Sequence, residues 1–497
     1  MLRIVRVTPG AYRLPPMADH FDLLVIGAGP AGEKGAAQAA YFGKRVCIVE
    51  RAPKPGGAAV NTGTIPSKTL RETALYFSGL KQRGLYGVDY HVQNDISISD
   101  FMYRERAVVE ASWHLIDENF ARHNITVVQG TARVLDGHTV EVTRHTDTRR
   151  ITADVILLGT GSHPLKPANI PFDGEIVVDS DDILMLTAIP NRMVVIGGGV
   201  IGCEYAGIFA ALGCRVTIVN ARERLLTQLD GEVSEALQAD MTRRLSVQVM
   251  VNAEVTSVRV EGGDKEKIGV VTLNDGTEIV ADCVLYSIGR EGSTKDLGLA
   301  EAGVRTNTRG FVLVDKTFRT TVPTIFAAGD VIGYPALAAT SMEQARVAIC
   351  HAFDLKYKDQ VSPVLPYGVW TVPEIAMVGD TEESAREKGI SYETGKASYR
   401  GNPRGQIIGD LDGFIKLIFQ RDDQKLLGCS IFGENACELI HVAAAVLSFG
   451  GTIDYFIQGV FNYPTLSDAY KYAAYDGLQR MAKRASRTVG LPTAGQS

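Results

Sequence analysis

The feature that most constrains the fold of this chain is a strand–glycine loop–helix–strand unit that occurs twice. The first copy opens with the apolar run 21–26, which predicts a buried parallel strand, and the glycine-rich loop 27–32 follows it directly. A small-residue helix over 33–42 and a second strand over 45–49 complete the copy, and Glu50 ends it. Such glycines let the backbone approach a pyrophosphate at the helix N-terminus, and the terminal acid receives a pair of ribose hydroxyls.

The second copy has the same order and the same length. Its strand covers 193–196, its glycine loop 197–202 and its helix 203–212, and a second strand over 215–219 ends at Asn220. In both copies, 23 positions separate the first loop glycine from the residue that ends the second strand. A single glycine loop is a weak signal, because many such loops are ordinary tight turns. Two loops in matching context predict two dinucleotide sites.

A third motif lies near residue 330, where the apolar segment 325–328 is followed by Gly329 and Asp330. A carboxylate placed after a buried strand can accept hydrogen bonds in a dry site. The segment resembles the motif of two-dinucleotide flavoproteins in which the aspartate accepts a hydroxyl of the flavin's ribityl chain. The alternative is a surface turn that uses glycine and aspartate.

Composition argues against several classes of function. The net charge of −6 leaves no basic footprint for nucleic acid, and no apolar run reaches the roughly 18 residues that span a bilayer. Seven scattered cysteines form no CxxC pair, so most are expected to be small buried hydrophobes in a reducing compartment. We therefore expect a cytoplasmic protein without a secretory signal or a metal site, with flexible ends over 1–19 and 483–497.

From about Asp22 to Arg480 the chain resembles the pyridine nucleotide–disulfide oxidoreductases, the family of lipoamide dehydrogenase and glutathione reductase. Within that family it is most similar to the soluble, Si-specific NAD(P) transhydrogenases. The segments that carry the resemblance are 61–72, 199–206, 328–338 and 461–465.

The order of the motifs predicts an α/β fold with two Rossmann-like (two-dinucleotide) domains and a C-terminal α+β domain. The length of 497 residues suits about three domains of roughly 150 residues each. Residues 20–172 and 296–365 are assigned to an FAD-binding domain, and 173–295 to an inserted NAD(P)-binding domain. Residues 366–480 are assigned to a dimerisation domain, and the resemblance implies a homodimer.

The chain departs from the disulfide reductases in their catalytic unit. It holds Ala59 and Thr64 where the family has two redox-active cysteines, and neither side chain forms a thiolate. Dithiol exchange from this loop is therefore chemically excluded. The C-terminal His-Pro-Thr of the family reads Tyr-Pro-Thr at 463–465, so the base that handles the thiol proton is absent, and Asp468 represents its supporting glutamate. The soluble transhydrogenases often keep the first cysteine, so Ala59 departs from them too.

The resemblance assigns chemical roles to Lys68, Glu204 and Tyr463. Lys68 would approach the N5 edge of the flavin and pair with Glu204, because a cation there stabilises negative charge that develops on the ring. Glu204 would also accept a hydrogen bond from the nicotinamide carboxamide. The alternatives are a solvated helix residue for Lys68 and a first-turn acid favoured by the helix dipole for Glu204. Tyr463 would line the acceptor side of the flavin of the other subunit or plug the dimer interface.

Asn220 is the informative deviation of the second dinucleotide site. NAD-selective sites usually place an acid there, which repels a 2′-phosphate, and the neutral Asn220 removes that repulsion. Arg222 and Arg224 follow closely and could attract the phosphate. We interpret the site as one that admits NADPH as well as NADH. The alternative is a surface charge cluster of both arginines with Glu223.

The motifs and the resemblance together give the candidate cofactor-binding residues. In chain order they are Gly27, Gly29, Pro30, Ala31, Gly32, Glu50, Arg51, Gly57, Ala58, Thr62, Lys68, Ala132, Thr160, Gly161, Gly197, Gly199, Val200, Ile201, Glu204, Asn220, Ala221, Arg222, Gly289, Arg290, Gly329, Asp330, Ala336, Leu337 and Ala338.

The predicted function is that of an FAD-dependent NAD(P)H oxidoreductase, which passes a hydride from NAD(P)H to FAD and on to NAD+ with ping-pong kinetics. Its partners would be nicotinamide nucleotides and a small-molecule electron acceptor. A second hypothesis is an NAD(P)H reductase of quinones or other small electrophiles, which would use the space opened by Ala59. A third, of another class, is a non-catalytic flavin-binding scaffold or sensor. Oxidation of dihydrolipoamide is not expected.

Overall fold

The computed structural model describes residues 20–79, 97–263 and 267–488. Its strands in chain order are β1 His20–Ile26, β2 Val46–Glu50, β3 Thr126–Gln129, β4 Thr131–Val134, β5 Thr139–Arg144, β6 Asp147–Leu158, β7 Ser162–Pro164, β8 Val177–Val178, β9 Arg192–Ile196, β10 Arg215–Val219, β11 Gln248–Met250, β12 Val255–Glu261, β13 Ile268–Leu273, β14 Glu278–Ala281, β15 Cys283–Tyr286, β16 Arg290–Gly292, β17 Ile325–Ala327, β18 Tyr367–Val369, β19 Ile375–Gly379, β20 Tyr392–Ser398, β21 Phe414–Gln420 and β22 Leu426–Phe432.

The α-helices are α1 Pro30–Tyr41, α2 Gly57–Asn61, α3 Thr64–Ser78, α4 Ile98–Arg122, α5 Val200–Ala211, α6 Gly231–Leu245, α7 Ala338–Ala352, α8 Glu382–Glu387, α9 Pro403–Ile408, α10 Ala436–Ser448, α11 Asp454–Gln458 and α12 Ala469–Thr488. Short 3-10 helices cover Asp182–Met185, Asp330–Ile332, Tyr399–Gly401 and Leu466–Asp468. Among the described helices, none combines the length and the apolar character that crossing a membrane requires.

The first compact unit comprises the described residues up to Thr69, then Met102–Leu165 and Gly289–Val361. Its sheet has the order β3-β2-β1-β6-β5-β4, with β17 paired to β6. The strands around β1 run parallel, whereas β4, β5 and β6 are antiparallel. Alternate residues of β1 enter two apolar clusters, because successive side chains of a strand point to opposite faces: Leu23 packs with α1, α4 and α7, and Leu24 with the β4–β5 region.

The second compact unit comprises the described residues of Leu70–Phe101, Lys166–Ile288 and Ser362–Ser497. It contains a parallel sheet of order β11-β10-β9-β15-β8, a three-stranded sheet β12-β13-β14, and an antiparallel sheet of order β18-β19-β22-β21-β20. Helices α10 and α12 cover the antiparallel sheet, where Tyr470 is fully buried and stacks on Phe456 at 5.0 Å between ring centroids.

Two glycine-loop units on parallel strands and a C-terminal α+β region are present, so the predicted fold class is confirmed. The predicted domain boundaries stay a prediction. The helices predicted over 33–42 and 203–212 begin three residues earlier, at Pro30 and Val200, because the last loop residues already form the first turn and proline suits the first helical position. Helix α12 also runs through 483–488, which the sequence assigned to a flexible end, whereas 1–19 and 489–497 lie outside the described residues.

Candidate active site

The first glycine loop, residues 27–32, joins β1 to α1 under tight steric constraint. Gly27 has a φ of +99°, and a Cβ atom there would lie 2.5 Å from the carbonyl oxygen of Gly159. A Cβ atom on Gly32 would lie 1.8 Å from the carbonyl oxygen of Gly27. Both positions therefore require glycine, since any side chain would push α1 away from the strand ends. Pro30 stands at the first helical position, where its missing N–H leaves no bond unmade.

The Glu50 carboxylate braces this loop from the end of β2. One carboxylate oxygen accepts the N–H of Ala28 at 2.7 Å, and the other accepts the N–H of Ala52 at 2.7 Å. Each oxygen keeps a further lone pair, so the carboxylate can still receive ribose hydroxyls. The neighbouring Arg51 is exposed.

A second acid reaches the same edge of the sheet from β17. Gly329 donates its N–H to Oε1 of Gln344 at 2.9 Å, and a Cβ atom on it would lie 3.0 Å from Cβ of Ala31. Asp330 accepts the hydroxyls of Ser162 at 3.2 Å and Ser341 at 3.3 Å. The first glycine loop and Gly329–Asp330 thus meet where the carboxyl ends of parallel strands lie side by side, the usual ligand position in such sheets.

Arg290 extends this group of polar side chains. Its guanidinium donates to the hydroxyl of Ser162 and to the carbonyl of Ser162, both at 2.8 Å. Arg290 lies in the first unit. Its partner Ser162 is also the residue that donates to Asp330. Gly161 has a φ of +71°, and among the residues that the structure describes, its chain neighbours aside, none has an atom within 4 Å of where its Cβ would be. Gly289 lies near Arg309.

The residues around the first loop fit a dinucleotide. Among the described residues, none forms a hydrogen bond with the buried hydroxyl of Thr160. Thr160 directly follows Gly159, whose carbonyl oxygen lies against Gly27. A buried hydroxyl without a protein partner next to a glycine loop suits a bound group that supplies the missing hydrogen bond. The other predicted contacts frame this edge or its sheet: Ala336, Leu337 and Ala338 lie at the start of α7, and Ala132 is buried in β4.

The loop that carries cysteines in the disulfide reductases folds here into α2 and the start of α3. A Cβ atom on Gly57 would lie 2.8 Å from Cα of Gly29, so this loop touches the first glycine loop. Asn61 donates to the carbonyls of Pro55 and Gly57 at 3.0 and 2.9 Å, and accepts the indole N–H of Trp113 at 2.8 Å. Sequence reasoning missed Asn61 and Trp113, because the 52 positions between them give no local signal.

The remaining predicted residues of this loop are placed close together. Ala58 and Ala59 lie in α2, and the N–H groups of Thr62 and Gly63 both donate to the carbonyl of Ala58, at 3.1 and 2.6 Å. Lys68 lies one turn into α3, partly buried, and its ammonium donates to the hydroxyl of Ser67 at 3.2 Å.

All seven cysteines of the chain lie in the described part of the structure, where none forms a disulfide and all are buried. Burial raises the pKa of the Cys203 and Cys429 thiols well above the usual range, and raises that of Cys283 to about 12. A thiol in that state is a poor nucleophile, because the thiolate is the reactive form.

The second glycine loop, residues 197–202, repeats the geometry of the first in the second unit. Gly197 has a φ of +111°, and a Cβ atom on Gly202 would lie 2.0 Å from the carbonyl oxygen of Gly197. Apart from its chain neighbours, no atom in the described part of the chain lies within 4 Å of a Cβ position on Gly199, directly before Val200 and Ile201 open α5. The helix N-terminus therefore faces open space, which suits the close approach of a pyrophosphate.

Asn220 ends β10 and is nearly fully buried. Its side-chain oxygen accepts the N–H of Gly198 at 3.2 Å, and its amide nitrogen donates to the carbonyls of Arg222 and Arg224 at 3.1 and 2.9 Å. These three bonds fix the shape of the loop that follows. A neutral amide is required, since a carboxylate could not donate to either carbonyl.

The two arginines of that loop have different surroundings. Arg224 forms an ion pair with Glu383 at 3.2 Å and also donates to the carbonyls of Thr227 and Leu229. Arg222 is exposed like Ala221 beside it, and its guanidinium donates to the hydroxyl of Thr227 at 2.6 Å. The proposed cluster of both arginines with Glu223 is therefore not a single surface group, because Arg224 is committed to a partner 159 positions away.

Glu204 lies in the second turn of α5 and is 4% exposed. Its Oε1 atom accepts the backbone N–H of Trp370 at 3.0 Å. The alternative interpretation of Glu204 as a first-turn acid is wrong, because α5 begins at Val200 and its first turn contains no acid. Lys68 belongs to the first unit and Glu204 to the second, and their pairing stays a prediction.

Tyr463 is 71% exposed, in the segment before the 3-10 helix Leu466–Asp468. Tyr472 and Tyr475 are also exposed, whereas Tyr470 donates its hydroxyl to the carbonyl of Leu439 inside the core. Both roles predicted for Tyr463 remain open. Near it, a cavity of about 520 Å³ is lined by Arg404, Asn435, Glu438, Leu439, Val442 and residues 464–467.

Two glycine loops, each on its own parallel sheet, and an acid-bearing strand beside the first define a two-dinucleotide flavoprotein. The chain belongs to the pyridine nucleotide-disulphide oxidoreductase family: the family's model matches residues 21–349, and the model of its dimerisation domain matches 365–474. The predicted family, the predicted cofactors FAD and NAD(P), and the predicted class of FAD-dependent NAD(P)H oxidoreductase are confirmed.

Relatives of known name cover nearly the whole chain. The soluble pyridine nucleotide transhydrogenase of Mycobacterium tuberculosis is 45% identical over 464 residues, covering 93% of this chain and 98% of that protein. The protein of the same name from Colwellia psychrerythraea is 38% identical over 466 residues, with the same coverage.

Solved structures have the same fold. LpdA from Mycobacterium tuberculosis superposes with a TM-score of 0.84 at 27% identity, covering 91% of this chain and 99% of that one. The HOCl-induced flavoprotein disulfide reductase RclA from Escherichia coli superposes with a TM-score of 0.81, at the same identity and coverage.

Proposed function

We propose that this enzyme moves a hydride between two nicotinamide nucleotides, from NADPH to NAD+, without disulfide chemistry. The observation that carries the proposal is the pairing of two glycine loops with a loop that holds Ala59 and Thr64 in place of cysteines. The seven buried cysteines supply no exposed thiol that could act instead. The two transhydrogenases at 45% and 38% identity support the same reaction.

When bound at the first loop, FAD would supply the redox chemistry, that of hydride transfer between nicotinamides. The chain's own residues bind and orient. The first glycine loop holds the pyrophosphate at the N-terminus of α1, Glu50 receives the ribose, and Asp330 receives the ribityl chain. We assign to Lys68 the stabilisation of negative charge at the flavin, and to Glu204 an acceptor for the nicotinamide carboxamide.

The second loop chooses the nucleotide. Its glycines admit the pyrophosphate at α5, and the neutral Asn220 leaves the ribose without a repelling charge. Arg222 is the exposed cation beside it and is assigned to the 2′-phosphate of NADPH, because a guanidinium binds phosphate through several N–H groups. Since neither Asn220 nor Arg222 would reject a free hydroxyl, NADH is proposed to bind there as well.

The match to the dimerisation domain supports a homodimer. The proposal includes the three-domain division given above, a cytoplasmic location, and Tyr463 as a residue that faces the flavin of the partner subunit. The remaining candidate contacts, among them Arg51, Thr62, Ala221 and Gly289, are assigned to binding and not to chemistry.

The test uses purified holoenzyme under anaerobic conditions. Addition of NADPH should bleach the visible flavin band, and subsequent addition of NAD+ should restore it. With thio-NAD+ as acceptor, the initial rates at several fixed NADPH concentrations should give parallel double-reciprocal plots, as a ping-pong mechanism requires.

The other outcomes point elsewhere. Recovery of the flavin band with a quinone but not with NAD+ would identify a reductase of small electrophiles, and no bleaching by NADPH or NADH would identify a scaffold. Steady turnover of dihydrolipoamide that survives thiol alkylation would contradict the proposal, because the chain lacks the cysteines at 59 and 64 that such turnover uses.

A further inference from the structure

Arg71 is among the largest fully buried side chains, at 1% exposure, although arginine is seldom buried without a dedicated partner. It lies on α3, three positions after Lys68. Its Nε atom donates to the carbonyl of Thr371 at 2.8 Å. Its Nη1 atom forms ion pairs with Glu72 at 2.5 Å and with Glu374 at 3.5 Å. The guanidinium thus contacts the segment 370–374 at two points, the backbone carbonyl of Thr371 and the side-chain carboxylate of Glu374.

The same segment also holds Glu204. The N–H of Trp370 donates to Oε1 of Glu204 at 3.0 Å, and this residue directly precedes the one that Arg71 binds. Helix α5 lies against the segment a second time, because a Cβ atom on Gly207 would be 3.6 Å from Val372. The dipeptide Trp370–Thr371 therefore connects two buried charges: its Trp370 N–H donates to the carboxylate of Glu204, and its Thr371 carbonyl accepts from the guanidinium of Arg71.

Glu374 anchors the far end of the segment. Its Oε2 atom accepts the N–H of Cys437 at 3.2 Å, at the start of α10. Burial raises the pKa of the Glu374 carboxyl, and the nearby charge of Arg71 opposes that shift. Burying these charges without their partners would be costly, so the network holds one arrangement of segment 370–374.

We propose that Arg71 is a positioning residue for Glu204: it fixes the backbone of 370–374 so that the Trp370 N–H holds the Glu204 carboxylate in one orientation. The inference rests on the proposed role of Glu204 toward the nicotinamide. Arg71 is assigned a positioning role and not a catalytic one, since its guanidinium is bound to Glu72, to the carbonyl of Thr371 and to Glu374. A residue that acts through Glu204 should lose its effect once the Glu204 carboxylate is gone, whereas a merely structural residue should not.

The experiment is a double-mutant cycle on the holoenzyme. The anaerobic rate of flavin reduction by NADPH is measured for the wild type and for the Arg71→Met, Glu204→Gln and doubly substituted enzymes. Arg71→Met should slow reduction about tenfold, and the double variant should be no slower than Glu204→Gln within about a factor of two. Additive effects of the two substitutions would overturn the proposal.

A readout apart from activity is hydrogen exchange at the peptide that contains Trp370. Its amide should exchange about tenfold faster in Arg71→Met, because the segment that presents it to Glu204 is no longer held. Unchanged exchange would also overturn the proposal. If Arg71→Met fails to retain flavin, Arg71→Lys replaces it, since lysine keeps the charge but not the planar fork that binds a carbonyl and a carboxylate together.

Lys416 offers a matched control. It is a buried cation at 3% exposure in the same unit, paired with Asp230 at 3.0 Å and with Glu232 at 3.0 Å. Lys416→Met should lower thermal stability at least as much as Arg71→Met, and leave both the reduction rate and Trp370 exchange within about a factor of two. Equal slowing by both variants would mean that loss of any buried cation suffices, and the inference would fall.

Failure of the proposed function has a different signature. Wild-type enzyme that neither NADPH nor NADH bleaches would refute the proposed reaction, while the exchange measurement would still report whether Arg71 holds Trp370. Wild-type enzyme that bleaches normally, with Glu204→Gln slowed and Arg71→Met unaffected, would refute only the present inference.

Discussion

Each glycine-loop unit ends its second strand with a polar residue, and the two residues form the same first hydrogen bond but a different second one. Glu50 accepts the N–H of Ala28, and Asn220 accepts the N–H of Gly198, the corresponding loop position. The second hydrogen bond differs: the Glu50 carboxylate accepts the N–H of Ala52, whereas the Asn220 amide donates to the carbonyl of Arg222. Two positions after the strand end, the backbone thus presents an N–H to Glu50 in the first unit and a carbonyl to Asn220 in the second.

This difference teaches that one acid-to-amide replacement changes both charge and loop shape. At the first loop a carboxylate fits, because only acceptors are needed there. At the second loop the side chain donates to two carbonyls, so the neutral residue that we propose to admit a 2′-phosphate is also the residue that shapes the exposed turn around Arg222. If the proposed role of Asn220 holds, nucleotide choice and backbone geometry are coupled through its side chain.

The largest expected effect comes from adding a methyl group to the last glycine of each loop. In Gly32→Ala and Gly202→Ala the new Cβ would lie 1.8 and 2.0 Å from a backbone carbonyl oxygen. Gly32→Ala should lower flavin affinity about tenfold or more, and Gly202→Ala should keep flavin but lose reduction by NADPH to a similar extent. The ratio of protein to flavin absorbance and the reduction rate measure the two effects.

Gly263→Ala is the control: its two chain neighbours aside, no atom of the described residues lies within 4 Å of its Cβ position, so it should behave as wild type. Loss of flavin from Gly202→Ala equal to that from Gly32→Ala would break the assignment of one cofactor to each loop.

The next effect comes from exchanging the chemistry of the two terminal residues. Glu50→Gln places an amide N–H₂ against a backbone N–H, of Ala28 or of Ala52, and should weaken flavin binding about tenfold, since a lost acceptor costs about 1–3 kcal/mol. Equilibrium dialysis of flavin checks this value. Unchanged affinity would mean that the carboxylate does not shape the first loop.

The reverse change, Asn220→Asp, removes the side-chain donor to the carbonyls of Arg222 and Arg224 and adds a negative charge. We expect the ratio of kcat/KM for NADPH over NADH to fall about tenfold. Asn220→Ala separates the two causes, because it removes the donors without adding charge. A ratio that stays constant in Asn220→Asp would exclude this position from nucleotide choice.

A smaller effect distinguishes the two arginines of the second loop. Arg222→Ala should raise the KM for NADPH about fivefold and leave that for NADH and the melting temperature unchanged. Arg224→Ala removes the ion pair with Glu383 and should lower the free energy of unfolding by about 1 kcal/mol, since both side chains are partly exposed. Steady-state kinetics and thermal denaturation of both variants suffice. Identical kinetics in the two would contradict the division of roles.

The smallest expected effect concerns the cysteine in each copy, Cys47 in β2 and Cys203 in α5. Both are fully buried, and Cys203 directly precedes Glu204. Iodoacetamide should leave the rate of flavin reduction unchanged in the native enzyme while labelling all seven thiols after denaturation. Inactivation that follows labelling of either cysteine would show that thiols take part after all.

Much of the fold follows from local pattern. The strand at 215–219 has the predicted bounds, because its apolar residues form a short run that the polar Asn220 ends. The helix starts at Pro30 and Val200 do not have the predicted bounds, since a glycine-rich loop hides the first helical turn that it contains. Boundaries are the part of an element that local composition specifies least.

The candidate sites divide in the same way. Glycines at 27, 32, 197 and 202 were identifiable because their spacing in the chain reflects a backbone constraint. The partner of Arg290 is Ser162, 128 positions away, and the partner of Asn61 is Trp113, and neither could be predicted because no sequence period connects them. The cavity beside Pro464 likewise has no local signal.

The sequence by itself determined the family, the two dinucleotide loops and the absence of cysteines at 59 and 64, since these depend on residue types at fixed spacing. Only the tertiary structure decided that Arg222 stays exposed while Arg224 is bound to Glu383, and that Arg71 is buried against a carbonyl 300 positions away. The physical reason is that a long side chain takes its partner from whatever packing brings within reach. That packing depends on the whole chain and not on the residues next to the side chain in sequence.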